Sequence, residues 1–414
     1  MAFTYCDERL FVEQIPLADV AARFGTPCYV YSRAVLERNW RSYHQAFGAR
    51  RHRVCYAVKA NGNIGLLNVL ARLGSGFDIV SRGELARCLA AGADPAHIVF
   101  SGVGKGRAEI RYALEAGIGC LNVESGAELA RIERVAAEIG RIAPISLRVN
   151  PDVDPQTHPY ISTGLHESKF GIPMEAAARL YEAAARSPHL AVRGIACHIG
   201  SQLTALAPFI DAIARVMALV RALAAQGIAL DRIDVGGGLG ISYRDETPPP
   251  IADYVRTVSD AVGTGFELVT EPGRSLVGNA GVLLTTVEYL KETPAKNFAI
   301  VDAAMTELIR PALYQAWHAV CPLVRDRSGT IRRYELVGPV CETGDFLAND
   351  RELSLAEGAQ LAIMDAGAYG FAMASNYNAR LRPPEVLVDG KEMHLVRARE
   401  TLEDLWSAEC LLPS

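Results

Sequence analysis

The stretch RVCYAVKANGNIGLLNVLARLGSGFDIVS, residues 53–81, decides the fold that the sequence predicts. It begins and ends with short apolar runs typical of buried β-strands, and the segment between them has the apolar spacing of a helix. The same alternation continues along the chain. Strand-like runs begin near residues 53, 76, 97, 118, 144, 192, 231 and 266, with helical stretches such as RGELARCLAAG and ALAPFIDAIARVMALVRALAAQG between them.

Eight consecutive strand–helix units predict a (β/α)8 (TIM) barrel, which we assign to residues 31–280. A doubly wound open sheet is the alternative, although it usually needs fewer units. From residue 281 to 414, strand-like runs follow one another without long helices, which predicts a second, mainly β domain of sandwich or barrel-like form. We assign residues 1–30 to this β domain as well; pattern alone does not decide between this assignment and a cap on the barrel.

The composition is that of a soluble globular protein. Half of the 414 residues are apolar, 21% are charged and the net charge is -5, so the sequence has no basic footprint for nucleic acid. The first residues are acidic where a secretory signal would be basic and apolar, and charged residues interrupt every long apolar stretch, so we expect a cytoplasmic protein without a membrane span. The nine cysteines lack metal-knuckle or redox spacing, which indicates reduced thiols.

Barrel enzymes build their active sites at the carboxyl ends of the strands. A lysine, a histidine, a glycine-rich turn and a carboxylate at one mouth fit a phosphorylated electrophile that contains nitrogen. The predicted strand ends carry Lys59, Asp78, His198, Ser201, Gly236 to Gly238, Glu271 and Arg274.

Each of these residues has a chemical and a structural interpretation. Lys59 follows an apolar strand, which favours a neutral nucleophilic amine suited to a Schiff base; it could instead extend to solvent. The glycines could admit a phosphate or serve close packing. Glu271 could keep a pyridine nitrogen protonated, or be a surface acid paired with Arg274. His198 could pack on a cofactor ring or in the core.

Motifs along nearly the whole chain resemble those of diaminopimelate decarboxylases, in the alanine-racemase-like class (fold type III) of pyridoxal enzymes. GGGLG and EPGR are shared with related decarboxylases, whereas STGLHESKFG and CETGD, with RPALY, are more particular to this family. In chain order the motifs are YAVKAN, HPYISTGLHESKFGI, HIGSQ, DVGGGLG, EPGR, RPALYQAWH, GPVCETGDFL and DAGAYGFAMASNYN.

The resemblance implies decarboxylation of meso-2,6-diaminopimelate to L-lysine and CO2 with pyridoxal 5'-phosphate, the last step of lysine biosynthesis. It implies that Lys59 forms the Schiff base, that His198 stacks on the cofactor ring and that Glu271 protonates the pyridine nitrogen. The further cofactor-binding residues that it implies are Ser201, Gly237, Gly238, Pro272, Gly273, Arg274 and Tyr369.

The resemblance also implies how the substrate is held. An arginine can bind the distal carboxylate in a forked geometry, and Glu342 can pair with the distal ammonium. Cys341 resembles the family's proton donor, and a thiol is suited to donating a proton. The alternative is that it is an ordinary strand-end cysteine. The implied substrate-binding residues are Arg274, Arg310, Tyr314, Glu342 and Tyr369.

In this family the GPVCETGD loop comes from the partner subunit, so the resemblance implies a homodimer with two shared active sites. We expect residues 161–170 to form a loop that covers the mouth. The sequence assigns no role to Asp78, Cys88 or Cys197.

Other functions remain open at this point. A pyridoxal decarboxylase for arginine, ornithine or carboxynorspermidine should lack the set Arg310, Tyr314 and Glu342, whereas an enzyme recruited to antibiotic biosynthesis could retain it. A non-catalytic pyridoxal-binding protein should have lost Lys59 or Cys341. A metal-dependent hydrolase needs clustered histidines and carboxylates, which the strand ends lack, so no metal is expected.

Overall fold

The chain folds into two compact units in a computed structural model that describes residues 3–154, 169–326 and 328–413. The barrel unit comprises Glu37–Ser242 and Glu246–Leu276. The β unit comprises Met1–Leu36, Tyr243–Asp245 and Val277–Ser414. No helix in the described ranges is long and apolar enough to cross a membrane.

The amino-terminal elements are β1 (Phe3–Cys6), β2 (Arg9–Val12), β3 (Ile15–Pro16), α1 (Leu17–Phe24), β4 (Cys28–Ser32) and α2 (Arg33–Phe47). The first three strands form a small antiparallel sheet. Helix α1 buries Leu17, Val20 and Ala21, whose spacing places them on one face. It ends at Gly25, which has a φ of 72° and donates its N–H to the Ala21 carbonyl.

The barrel unit follows in regular strand–helix alternation. Its strands are β5 (His52–Ala57), β6 (Gly76–Ile79), β7 (Ile98–Phe100), β8 (Cys120–Val123), β9 (Ala143–Asn150), β10 (Ile172–Pro173), β11 (Leu190–Ala196), β12 (Arg232–Asp234) and β13 (Glu267–Thr270). Its helices are α3 (Ile64–Arg72), α4 (Arg82–Ala90), α5 (Arg107–Ala116), α6 (Gly126–Glu138), α7 (Met174–Arg186), α8 (Ala207–Ala225) and α9 (Ile251–Val262), with α10 (Arg274–Val277) at its end.

Parallel pairing closes this sheet on itself. Each of β5 to β9 and β11 to β13 pairs with its neighbours, and β13 pairs back to β5, so the described residues form a closed barrel of eight strands. The short β10 extends the pairing of β9 at its carboxyl end. The predicted barrel is therefore confirmed, and the open sheet is excluded.

Local sequence explains where the outer helices begin. Ser81 and Ser125 each follow a barrel strand closely, and each accepts a hydrogen bond from the backbone N–H of a glutamate three residues later, Glu84 or Glu128, at 3.2 Å. A serine cap with an acidic residue in the first turn satisfies otherwise unpaired N–H groups and favours the positive end of the helix dipole. These caps fix the strand-to-helix turns at the barrel mouth.

The β unit continues after the barrel with β14 (Gly281–Glu292), β15 (Asn297–Val301), α11 (Arg310–Tyr314), β16 (Val320–Pro322), β17 (Arg332–Val337), β18 (Phe346–Leu353), β19 (Gln360–Ile363), β20 (Glu385–Asp389), β21 (Glu392–Arg397) and α12 (Leu402–Trp406). Its main sheet has the order β18-β17-β15-β14-β4-β20-β21, and β19 pairs with both β14 and β16. Strand β4, from the amino-terminal part of the chain, lies between β14 and β20 and is therefore a central strand of this sheet.

One contact inside the barrel leaves no room for a side chain. Gly194 on β11 pairs with Arg232 on β12, and a Cβ atom at position 194 would overlap the Arg232 carbonyl. By contrast, a Cβ atom at Gly83, in the first turn of α4, would meet only the Ser81 hydroxyl at 3.7 Å.

We therefore expect Gly194→Ala to lower the free energy of unfolding by about 1–3 kcal/mol, because overpacking forces the backbone to shift. The matched change Gly83→Ala should be neutral or slightly stabilising, because alanine favours a helix. Denaturant midpoints of the two variants and the wild type test this. Equal midpoints for both variants would contradict the tight β11–β12 contact.

Candidate active site

A cavity of about 420 Å³ opens among the carboxyl ends of the barrel strands. Apart from Phe170, the residues that line it belong to, or directly follow, seven barrel strands: β5, β6, β7, β8, β9, β11 and β13. Charged and polar residues in the lining include Lys59, Asp78, Asn122, Arg148, His198 and Glu271. The structure thus brings together the three barrel residues predicted to contact a cofactor ring.

Lys59 is held by an ion pair. It lies in the short 3-10 turn Val58–Ala60 that follows β5, and its Nζ donates to Asp78 Oδ2 at 2.6 Å. The Asp78 side chain is fully buried, whereas the Lys59 side chain is 38% exposed. The structure therefore gives Asp78, to which the sequence assigned no role, the position of a counter-ion that places the Lys59 amine on the cavity wall.

Glu271 is a buried acid beside a second buried acid. Burial, followed by the negative charges of Asp234 and Asp78, raises the pKa of Glu271 well above its usual range. Asp234 Oδ1 accepts the Gly236 N–H at 2.9 Å, which favours its ionised form. Glu271 therefore keeps the proton of the pair. Its Oε1 is buried and has no hydrogen-bond partner among the described residues.

His198 is a neutral ring in this setting. Burial, and then the positive charges of Arg148 and Lys59, hold the pKa of His198 well below its ordinary value. Its Nδ1 accepts the Gly237 N–H at 3.2 Å, which leaves the proton on Nε2. An uncharged, half-buried imidazole on the cavity wall can pack against an aromatic ring.

The glycine-rich turn after β12 is required by packing. A Cβ atom at Gly237 would overlap the Glu271 carbonyl, and one at Gly238, whose φ is 114°, would lie 2.5 Å from the Gly200 carbonyl. Close packing alone thus accounts for these glycines. The stronger sign of an anion site is the pair formed by Arg274 and Ser201, whose Nη2 and Oγ atoms lie 3.0 Å apart.

Pro272 and Gly273 link these groups to the first strand. The Pro272 carbonyl accepts the Ala57 N–H at 3.1 Å, and a Cβ atom at Gly273 would lie 3.1 Å from the Ala57 and Ala60 side chains. The turn after β13 therefore packs directly against the turn that carries Lys59.

Together these groups fit pyridoxal phosphate. The Lys59 amine can bind its aldehyde, the bare Glu271 oxygen can meet its ring nitrogen, and the neutral His198 ring offers a stacking surface. Ser201 and Arg274 can bind the phosphate. No group of three or more metal-ligating side chains occurs in the described part of the chain.

Two residues of this site were not predicted from the sequence. The Asp234 side chain hydrogen-bonds to the Glu271 side chain. Arg148 on β9 pairs with Glu124 at 2.8 Å and lies over the Phe170 ring. Both are polar residues within barrel strands, so attention to the strands as well as their ends could have found them. Cys197 also lines the cavity, and burial raises its pKa to about 12, so it stays a thiol.

The β unit assembles the predicted substrate residues separately. Arg310 begins α11, is 5% exposed, donates from Nη1 to His318 Nε2 at 2.8 Å and lies over the Tyr243 ring. His318 Nδ1 donates to the Met364 carbonyl at 2.7 Å, which fixes the ring for this role. Tyr314 ends the same helix. Arg310 is therefore a positioned cation rather than a surface arginine.

Cys341 and Glu342 lie in the turn between β17 and β18, and both are exposed. Asp345 shapes this turn by accepting the N–H groups of Val340 and Met305, each at 2.7 Å. Tyr369, in the loop after β19, has a φ of 57°. The structure thus presents the predicted residues as two groups, one in each unit. The predicted mouth loop, residues 161–170, lies outside the described residues except for Lys169 and Phe170.

The raised pKa of Glu271 has a consequence for stability. An acid whose pKa rises on folding destabilises the folded state above its unfolded pKa of about 4.3. Glu271→Gln should therefore raise the unfolding midpoint of the cofactor-free protein at about pH 8, and the gain should shrink at about pH 5. Thermal unfolding at the two pH values measures it.

Glu267, the first residue of β13, which Glu271 directly follows, is the matched control. Partial burial opposes its ionisation, but the guanidinium groups of Arg232 and Arg53 hold its pKa below the usual range. Glu267→Gln should therefore lower the midpoint at high pH, and the loss should diminish as the pH falls. The same sign for both substitutions would show that the assigned charges are wrong.

Comparison with known proteins agrees with this chemistry. The model of the pyridoxal binding domain of pyridoxal-dependent decarboxylases matches residues 33–278. The chain is 62% identical over 412 residues to the diaminopimelate decarboxylase of Pseudomonas aeruginosa, with 99% of each chain covered. It is 59% identical over 409 residues to that of Vibrio cholerae, with 98% of each covered.

A solved structure shows the same fold. The diaminopimelate decarboxylase of Helicobacter pylori, complexed with L-lysine, superposes with a TM-score of 0.92 at 42% identity, covering 95% of this chain and 99% of that one. The predicted resemblance is confirmed: this chain belongs to the diaminopimelate decarboxylase family of pyridoxal-dependent decarboxylases, lyases whose cofactor is pyridoxal phosphate.

Proposed function

We propose that this chain decarboxylates meso-2,6-diaminopimelate to L-lysine and CO2, the last step of lysine biosynthesis, with Lys59 carrying the cofactor. The observation that carries the proposal is the single cavity that holds the Lys59 amine, the neutral His198 ring and the bare Glu271 oxygen. Relatives named diaminopimelate decarboxylase, at 62% and 59% identity over nearly the whole chain, support the choice of substrate.

When bound, pyridoxal phosphate supplies an electron sink for the electron pair that the departing CO2 leaves behind. Glu271 holds the proton that the ring nitrogen requires, and Asp234 beside it keeps that proton in place. Asp78 orients the Lys59 amine. The remaining cofactor contacts in the proposal are Ser201, Gly237, Gly238, Pro272, Gly273, Arg274 and Tyr369.

The β unit supplies the groups that distinguish the substrate. Arg310 binds the distal carboxylate and Glu342 binds the distal ammonium. Tyr314 and Tyr369 of the same unit, and Arg274 of the barrel unit, are the further substrate contacts that we propose. A site with this charge pair rejects ligands that leave one charge unmatched. Cys341 holds the proton that is delivered to the reacting carbon.

A homodimer with shared active sites is part of the proposal. Cys341 and Glu342 are both exposed on the single chain, although a proton donor and a charge-recognising carboxylate work best where water is excluded. A partner subunit that covers the turn between β17 and β18 would give them that environment. A cytoplasmic location stays a prediction of the sequence.

Substitution of Lys59 tests the catalytic assignment. Wild-type protein should show a visible absorbance band from covalently held cofactor and release CO2 from meso-diaminopimelate, but not from lysine, ornithine or arginine. In Lys59→Ala the band should be absent, and the turnover should fall about a thousandfold or more. The exposed Lys291→Ala variant should retain both. Release from another substrate would keep the mechanism and overturn the specificity, whereas no band would overturn the cofactor assignment.

Mixed dimers test the sharing of sites. If Lys59 and Cys341 of one site come from different subunits, co-expressed Lys59→Ala and Cys341→Ala chains should recover about a quarter of wild-type activity, because half of the dimers then contain one intact site. Lys59→Ala with Glu271→Gln, both in the barrel unit, should recover none. No recovery from the first pair would contradict shared sites.

A further inference from the structure

A short segment of the β unit contacts both residues of the Cys341–Glu342 pair. The Tyr377 hydroxyl donates to Glu342 Oε1 at 2.6 Å. The Cys341 N–H donates to Asn378 Oδ1 at 3.3 Å. Tyr377 and Asn378 lie at least 35 residues further along the chain than this pair. They fix the side chain of Glu342 and the backbone of Cys341.

The hydrogen bond from Tyr377 is suited to orienting a carboxylate. Hydrogen bonding to Glu342, with its negative charge, raises the pKa of Tyr377, so the phenol keeps its proton and acts as a donor. Glu342 is exposed, and without a partner its three side-chain torsions would be free. Donation to Oε1 leaves Oε2 available to an ammonium group.

The backbone around Tyr377 is built to hold this position. Asn378 and Ala379 have φ values of 56° and 54°, a left-handed conformation that is unfavourable for alanine. Asn376 anchors the turn by donating from Nδ2 to the Arg380 carbonyl at 2.9 Å and to Glu400 Oε2 at 2.7 Å. A strained turn that is anchored in this way presents its side chains in one place.

We propose that Tyr377 is a positioning residue that fixes the Glu342 carboxylate to receive the distal ammonium of the substrate, and so determines specificity. The inference rests on the proposed function, because it takes Glu342 as the partner of that ammonium. It adds a residue that acts through Glu342 rather than on the reacting atoms. Asn378 supports the same arrangement by holding the Cys341 backbone.

A pair of competitive inhibitors tests this role. L-lysine, the expected product, retains the α-ammonium and carboxylate of the distal end, and 6-aminohexanoate is the same chain without the α-ammonium. In holoenzyme, Tyr377→Phe should weaken inhibition by L-lysine about tenfold, because a hydrogen bond to a charged group is lost. Inhibition by 6-aminohexanoate should not change. The KM for meso-diaminopimelate should rise with little change in kcat.

Two further variants separate positioning from general damage. Tyr289 is also exposed in the β unit, and Tyr289→Phe should leave both inhibition constants unchanged. In a Glu342→Gln background, adding Tyr377→Phe should have little further effect on L-lysine, because both changes remove the same interaction.

The outcomes distinguish this inference from the function on which it rests. Equal weakening of both inhibitors by Tyr377→Phe, or no weakening of either, would overturn the positioning role and leave the proposed reaction intact. A wild-type enzyme that binds L-lysine no better than 6-aminohexanoate would overturn the recognition of a distal ammonium, and with it the role of Tyr377.

Discussion

Backbone hydrogen bonding between β13 and β5 closes the barrel, and the active site depends on that closure. Thr270 pairs with Val54, so the turns that follow these two strands lie side by side although they are far apart in sequence. One turn carries Lys59 and the other carries Glu271. All barrel strands run in the same direction, so these turns lie at one end of the barrel, and one cavity collects residues from seven strands.

Buried charges meet at and beside this cavity. Asp78, Asp234 and Glu271 are buried carboxyl groups, and the Lys59 ammonium is the cation that the structure pairs with Asp78. Three nearby acids cannot all ionise at low energetic cost, so Glu271 keeps a proton well above its usual pKa. This arrangement reduces stability at neutral pH and yields a proton held where the cofactor ring needs one.

Much of the fold and part of the site could be predicted from the sequence because both follow periodic rules. Alternating strands and helices gave the eight barrel strands, and the strand-end rule gave Lys59, His198 and Glu271, which the structure places around one cavity. The roles carried by resemblance for Cys341, Glu342 and the cofactor contacts stay predictions.

The rest depended on contacts between residues distant in sequence. Nothing in the pattern around Asp78 shows that it pairs with Lys59, and nothing around Tyr377 shows that it holds Glu342. Asp234 lies beside Glu271, and helps Glu271 to keep its proton, because β12 and β13 are adjacent. Such pairings become visible once strand order and register are known, because sequence spacing does not encode them.

Whether Lys59 carries the cofactor can be decided by chemical trapping. Borohydride reduction of the holoenzyme fixes a covalently held cofactor to its lysine, and peptide mass mapping then locates it. We expect a phosphopyridoxyl group on the peptide that contains Lys59 and on no other peptide. A modified Lys105 or Lys169 with an unmodified Lys59 would contradict it.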